Sequence, residues 1–191
     1  MNRVRLATSH DVPQLVALES RYYIGNLDPA DRENGFISVL HPRQWFADMA
    51  SIEAIHVAVD DDDHVVGFMV VAPPPDHVDA DTPEVVTKML ELSETQEVNG
   101  IPIAAQRFAL HGPVCIAEEA RGRGVYPALH AATTVTYRDR YDLGVLFVAA
   151  DNPRSLHTVT TKLGAQKLAI FEAQGRAYHF LAFAFNADTR N

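Results

Sequence analysis

Apolar and polar residues alternate with two different periods along this chain, and the switches between the periods outline its elements. Val4-Arg5-Leu6-Ala7 alternates as a short strand, and Ser9 or Asp11 then offers an N-cap ahead of Pro13. Val12, Leu15, Val16 and Leu18 recur at the spacing of one helix face. The stretch from Tyr22 to Leu40 is irregular and aromatic, and His41-Pro42 opens a second short helix carrying Trp45, Phe46 and Met49. Residues 54–59 and 65–72 are apolar runs rich in β-branched residues, separated by Asp60-Asp61-Asp62-Asp63-His64, so a hairpin is expected. Four consecutive aspartates in a tight turn cannot converge on one ion, and a solvated turn is the reading adopted.

Pro73-Pro74-Pro75 stops the second of these strands, because proline cannot donate to a ladder. A polar loop follows, then a helix capped near Thr82 and reaching about Leu92, and a turn at Asn99-Gly100. Residues 73–102 therefore form a helical insert in what is expected to be a single domain, and a lid, a homodimer contact or plain decoration are open roles for it. Residues 107–116 form a long strand whose Gly112-Pro113 predicts a bulge or splay. A helix over 126–141, an apolar buried strand over 143–150, a short helix after Asn152-Pro153 and a closing hairpin about Gln174-Gly175 complete the pattern, with a frayed tail over 186–191. The fold class is mixed α/β.

Composition narrows the class. The 191 residues carry 47% hydrophobic and 21% charged residues, as in ordinary globular chains. A net charge of −9 argues against nucleic-acid binding and mildly favours cationic substrates such as amines. The single cysteine, Cys115, cannot form an internal disulfide, the N-terminal residues lack a signal-peptide core, and no run is long enough to span a membrane. A cytoplasmic location, with no membrane partner, is the expectation.

The chemistry concentrates between Val114 and Tyr126. A β-type run, a short acidic turn and Arg121-Gly122-Arg123-Gly124 lead into a helix. Glycine lets successive N–H groups turn toward one anion, and the helix start adds unpaired amides and the positive end of its dipole. This is a phosphate site in outline. The ending of a nucleoside-triphosphate loop is missing, as is the third glycine of a dinucleotide loop.

The segment resembles the acetyl-coenzyme A loop of the GNAT family of N-acetyltransferases, Gln/Arg-x-x-Gly-x-Gly/Ala, with Arg121 first, Gly124 central and Tyr126 where glycine or alanine is usual. Asn152-Pro153-Arg154-Ser155-Leu156 and Lys162-Leu163-Gly164 are similar to a second stretch of that family, and the order of elements matches along nearly the whole chain. The resemblance implies a GNAT acyl-coenzyme A fold: a central, mostly antiparallel twisted sheet, splayed at the cofactor and flanked by helices. It implies acetyl-coenzyme A as cosubstrate without a metal, and a primary amine of a small molecule or peptide as acceptor. It also implies cofactor contacts from Val114, Ile116, Arg121, Gly122, Arg123, Gly124, Val125, Tyr126, Asn152 and, more weakly, Ser155. In the family the segment between the first two helices commonly lines the acceptor side.

Proton handling is less well marked. Many relatives place a tyrosine in the helix after the asparagine, where this chain has Thr158-Val159-Thr160-Thr161. His111 is the candidate general base, since imidazole titrates near pH 6.5, with His130 and Tyr126 as lesser candidates. The alternative reading is a catalytically weak or inactive protein of this fold that binds coenzyme A or regulates, and a third is an unrelated nucleotide-binding domain.

Overall fold

The strand patterns require partners on both edges, and a computed structural model describing residues 3–186 supplies them in one hydrogen-bonded order, β1-β2-β3-β6-β7-β9-β8. The strands are β1 (Arg3–Leu6), β2 (Ile55–Val59), β3 (Val65–Ala72), β6 (Phe108–Ile116), β7 (Leu143–Ala149), β8 (Gln166–Ala173) and β9 (Arg176–Ala184). The pairs β1–β2, β2–β3, β7–β9 and β8–β9 are antiparallel, whereas β6 and β7 run parallel, with Phe108 opposite Leu143. The sheet is thus mostly antiparallel, as expected. Beyond Asn186 the expected tail lies outside the described residues.

The chain divides into two compact units. The first comprises residues 1–72 and 111–136 and holds α1 (Val12–Arg21), α2 (Arg43–Ser51) and most of α4 (Val125–Tyr137). Phe68 of β3 meets Phe46 of α2 edge to face at 5.7 Å, whereas the neighbouring Met69 accepts from the Thr133 hydroxyl of α4. Successive strand residues point to opposite faces, so α2 and α4 cover opposite faces of this part of the sheet. Between Ala58 and Val59 the register to β3 shifts, and the following turn is held by Asp60, whose carboxylate accepts the N–H groups of Asp62 and His64. That is the solvated-turn geometry.

Two local details differ from the sequence reading. Asp11 occupies the N-cap position of α1 but its carboxylate does not cap the helix; it takes a forked ion pair from Arg5 and the N–H of Thr8. Burial works to raise the Asp11 carboxyl, but these hydrogen bonds outweigh it and hold it below its ordinary value. Thr82 likewise caps no helix, because it closes a turn with Asp79, and the insert helix starts two residues later.

The second unit comprises residues 73–110 and 137–191. Its insert is α3 (Glu84–Thr95) followed by a hairpin of two short strands, β4 (Glu97–Val98) and β5 (Ile101–Pro102). Asn99 and Gly100 both take positive φ, the combination that a two-residue hairpin turn needs. Met89 of the insert and Ile103, the residue that follows it, join Val145, Phe180 and Ala182 in one buried cluster, so the insert helps to form this unit's core. Helix α5 (Pro153–Lys162) and the β8–β9 hairpin complete the unit, with Gln174 and Gly175 at positive φ in the turn.

Two expectations follow. A Cβ added at Gly144 would lie 2.3 Å from the Phe183 ring, so Gly144→Ala should cost about 1–3 kcal/mol in urea unfolding; an unchanged midpoint would show that the ring moves freely aside. His56 and His111 are buried, and desolvation pushes their imidazoles from 6.5 down to about 4 and about 3, His130 adding to the effect at His111. The unfolded chain takes up these protons near 6.5 and the folded chain only well below, so stability is full above neutral pH and falls as pH drops through 6.5. Unfolding at pH 5.5 should show about 2 kcal/mol less stability than at pH 7.5, at most about 1.4 kcal/mol per pH unit for each histidine. A flat profile would contradict the burial of neutral imidazoles.

Candidate functional site

The loop between β6 and α4 begins with a short 3-10 turn at Glu118–Ala120 and ends in Arg121-Gly122-Arg123-Gly124. Gly122 and Gly124 have φ of 74° and 78°, a region that costs little only for glycine, although a Cβ would find open space at both. The requirement is conformational, not steric. Its result is an uninterrupted row of donors: among the described residues, the N–H groups of Gly122, Arg123, Gly124, Val125 and Tyr126 have no protein acceptor, and the first amide of this region to bond is Ala128, to the Gly124 carbonyl. A helix start with consecutive free amides and left-handed glycines is an anion cradle.

The two arginines of the loop do different work. Arg121 donates Nε to the Ile116 carbonyl and Nη1 to the Asn34 carbonyl, both at 3.0 Å, and stacks its guanidinium 4.7 Å over the Tyr22 ring. It braces the loop. Arg123 is exposed and has no protein partner among the described residues, so its charge is available to a phosphate. Further bracing comes from Tyr22, whose hydroxyl accepts the Glu118 N–H at 2.7 Å, and from Arg21, paired with Glu119. Gly67 of β3 is closely packed: a Cβ there would sit 3.1 Å from Val125 and 3.2 Å from the Cys115 carbonyl, so a neighbour would have to give by a few tenths of an ångström.

On β6, Val114 and Ile116 are partly buried and flank the buried Cys115, whose thiol reaches the Leu18 carbonyl of α1. His111, four residues earlier, instead feels the charge of His130 on α4, on the opposite face. Strict alternation would put positions 111 and 115 on one face, so a register change lies between them, where Gly112 has φ of 121°. Cys115 is unsuited to attack a thioester: burial pushes its thiol up to about 12, Arg121 pulling it down and Glu19 adding to the rise.

The histidine picked out from sequence sits where protonation is costly. His111 is buried and stays neutral well below pH 6.5, which suits a hydrogen-bonding role more than proton storage. On α4, Tyr126, His130 and Thr134 recur at helical spacing, each partly buried. The Tyr126 hydroxyl is shielded from solvent with no protein partner among the described residues, and burial raises its pKa.

In the second unit, Asn152 is buried and its Oδ1 caps α5 by accepting the Ser155 N–H at 3.1 Å. The hydroxyls of Thr158, Thr160 and Thr161 all donate to carbonyls of their own helix. None of the three is left to donate a proton elsewhere.

One constellation escaped the sequence reading. Glu19 of α1 is completely buried and accepts both the backbone N–H of His41, at 2.8 Å, and a contact from His41 Nδ1 at 2.7 Å. The two residues are 22 positions apart, and only the polar residue on the inner side of α1 could have hinted at a buried partner.

No protein-family model matches the sequence, nor does any curated protein sequence. Solved structures do match. A GNAT-family acetyltransferase from Streptococcus agalactiae is similar with TM-score 0.65 at 14% identity, over 96% of this chain and 95% of that one. A ribosomal-protein-alanine N-acetyltransferase from Brucella melitensis gives TM-score 0.62 at 16% identity, over 95% and 99%. A chain of the NatC complex bound to Gag peptide and CoA gives 0.63 at 11%, over 96% and 98%. With a seven-stranded main sheet, a parallel β6–β7 pair and a glycine loop ahead of α4, the chain has the fold of the GNAT acetyltransferases.

Proposed function

We propose that this protein is an acetyl-coenzyme A-dependent N-acetyltransferase acting on a primary amine of a small molecule or peptide. The observation that carries the reading is the row of unengaged amides from Gly122 to Tyr126 beside the free guanidinium of Arg123. Several N–H donors at a helix start fit a diphosphate, and a coenzyme A diphosphate brings the thioester on its arm. The backbone of Val114 and Ile116 is the proposed rest for that arm, and Asn152 and Ser155 are proposed to hydrogen-bond it. The similar structures support this choice over other phosphate ligands, since one was solved with CoA and another is named for acetylation of a protein alanine.

Bound acetyl-coenzyme A supplies an activated acyl group, and the chain's part is to hold it and to manage protons. Backbone N–H groups of β6 are suited to polarise the thioester carbonyl, because preorganised donors stabilise developing negative charge without reorganising. His111, neutral and enclosed, is proposed to orient a polar group of the reacting pair.

A second reading, a coenzyme A-binding protein without transfer activity, is favoured by one observation. The hydroxyls in the α5 stretch where relatives carry a tyrosine are all bonded to helix carbonyls, and Tyr126 fills a position usually held by a small residue. Release of free thiol with any member of an amine panel removes this reading.

Acetyl-coenzyme A at about 100 times its Kd should stabilise the fold by about 2.7 kcal/mol in a thermal shift. Gly124→Val should weaken binding at least about tenfold, because a β-branched residue cannot hold positive φ. Arg123→Ala should lose about 1 kcal/mol and much of the salt dependence. No stabilisation at millimolar cofactor would contradict the assignment.

A further inference from the structure

A buried carboxylate is expensive unless every lone pair facing the protein is used, so Glu19 calls for an explanation. Its Oε2 accepts the His41 backbone N–H, which by itself ties the end of the irregular connector to α1. The second contact, Oε1 to His41 Nδ1 at 2.7 Å, does something more. The tautomer that fits an ionised carboxylate, which only accepts, carries the proton on Nδ1 and leaves the lone pair on Nε2. Trp45 fixes the ring plane, stacked at 3.9 Å and 25°. The His41 side chain keeps 13% exposure, and Nε2 has no protein partner among the described residues.

The position of this pair in the fold gives it a use. Leu18, the residue before Glu19, receives the Cys115 thiol on its carbonyl, and Cys115 lies between Val114 and Ile116, the proposed rest for the thioester arm. Three residues beyond Glu19, Tyr22 binds the loop amide of Glu118 and lies under Arg121. The end of α1 that holds the imidazole is therefore anchored to both β6 and the coenzyme loop.

Resting on the function proposed above, we infer that His41 is the catalytic base for the acceptor amine, through Nε2, with Glu19 as its positioning residue. The acceptor arrives as an ammonium, which a negative Glu19 behind the imidazole favours. Nε2 takes one proton, giving the free amine and an imidazolium stabilised by Glu19. The amine nitrogen then forms a bond to the thioester carbon, the carbon–sulfur bond breaks, and the second nitrogen proton leaves with the coenzyme A thiolate as thiol. His41 finally returns its proton to solvent.

The test uses full-length wild type, His41→Ala, His41→Gln and Glu19→Gln with acetyl-coenzyme A. The acceptor probe is whichever member of a fixed panel of free-amino peptides, spermidine and lysine methyl ester the wild type acetylates fastest. Calorimetric Kd for acetyl-coenzyme A should stay within about twofold in the variants, while kcat/KM for the amine falls about 100-fold or more in both His41 variants. Exogenous imidazole should restore part of the activity of His41→Ala but none to Glu19→Gln, whose loss should be in kcat more than KM. A purely structural tie would not respond to imidazole. Activity in His41→Gln within about threefold of wild type, or a folded His41→Ala that imidazole does not rescue, would overturn the proposal. So would a wild type that binds acetyl-coenzyme A and acetylates no panel member. A wild type that does not bind acetyl-coenzyme A would instead overturn the function on which the proposal rests.

Discussion

Backbone N–H groups are obligatory donors, and folded chains rarely leave several in succession without an acceptor. At the start of α4 five are left, because two glycines at positive φ turn the chain away from the ladder of β6 before the helix closes its first bond. Everything that fixes this loop serves the same end. Arg121 spends its guanidinium on two carbonyls and an aromatic face, Tyr22 holds the Glu118 amide, and Gly67 lets β3 come close to β6 and α4. The donors are thereby held in place without being used. That is how preorganised anion sites avoid a reorganisation cost on binding.

The same division of labour separates the charged residues. Side chains that look alike in the sequence, Arg121 and Arg123, differ in that one is enclosed by acceptors and the other is exposed. Histidines divide in the same way. Burial holds the His56 and His111 imidazoles neutral, whereas the His41 side chain keeps 13% exposure and sets Nδ1 on a buried carboxylate. An imidazole's use depends on what its two nitrogens meet more than on its place in the chain.

Much of this was legible beforehand. The hairpins β2–β3 and β8–β9 announced themselves through apolar runs joined by Asp-rich or Gln-Gly turns, and the glycine loop through a backbone conformation that few other residues accept. The β4–β5 hairpin shows in the sequence only as a turn, since strands of two residues carry no period. The caps expected from Asp11 and Thr82 were lost to competing turns, as short polar side chains often are. The Glu19 and His41 pair was hidden for a different reason: it joins a helix to a connector 22 residues on, and no local pattern records such a meeting.

The account stands on the loop amides receiving a diphosphate, and amide NMR reads those groups one at a time. Titration of acetyl-coenzyme A into the nitrogen-15-labelled protein should shift the signals of Gly122, Arg123, Gly124, Val125 and Tyr126 and slow their hydrogen exchange, with inorganic pyrophosphate reproducing part of the effect. Saturation of the protein with acetyl-coenzyme A while those five signals stay unmoved and exchange at their free rates would contradict it.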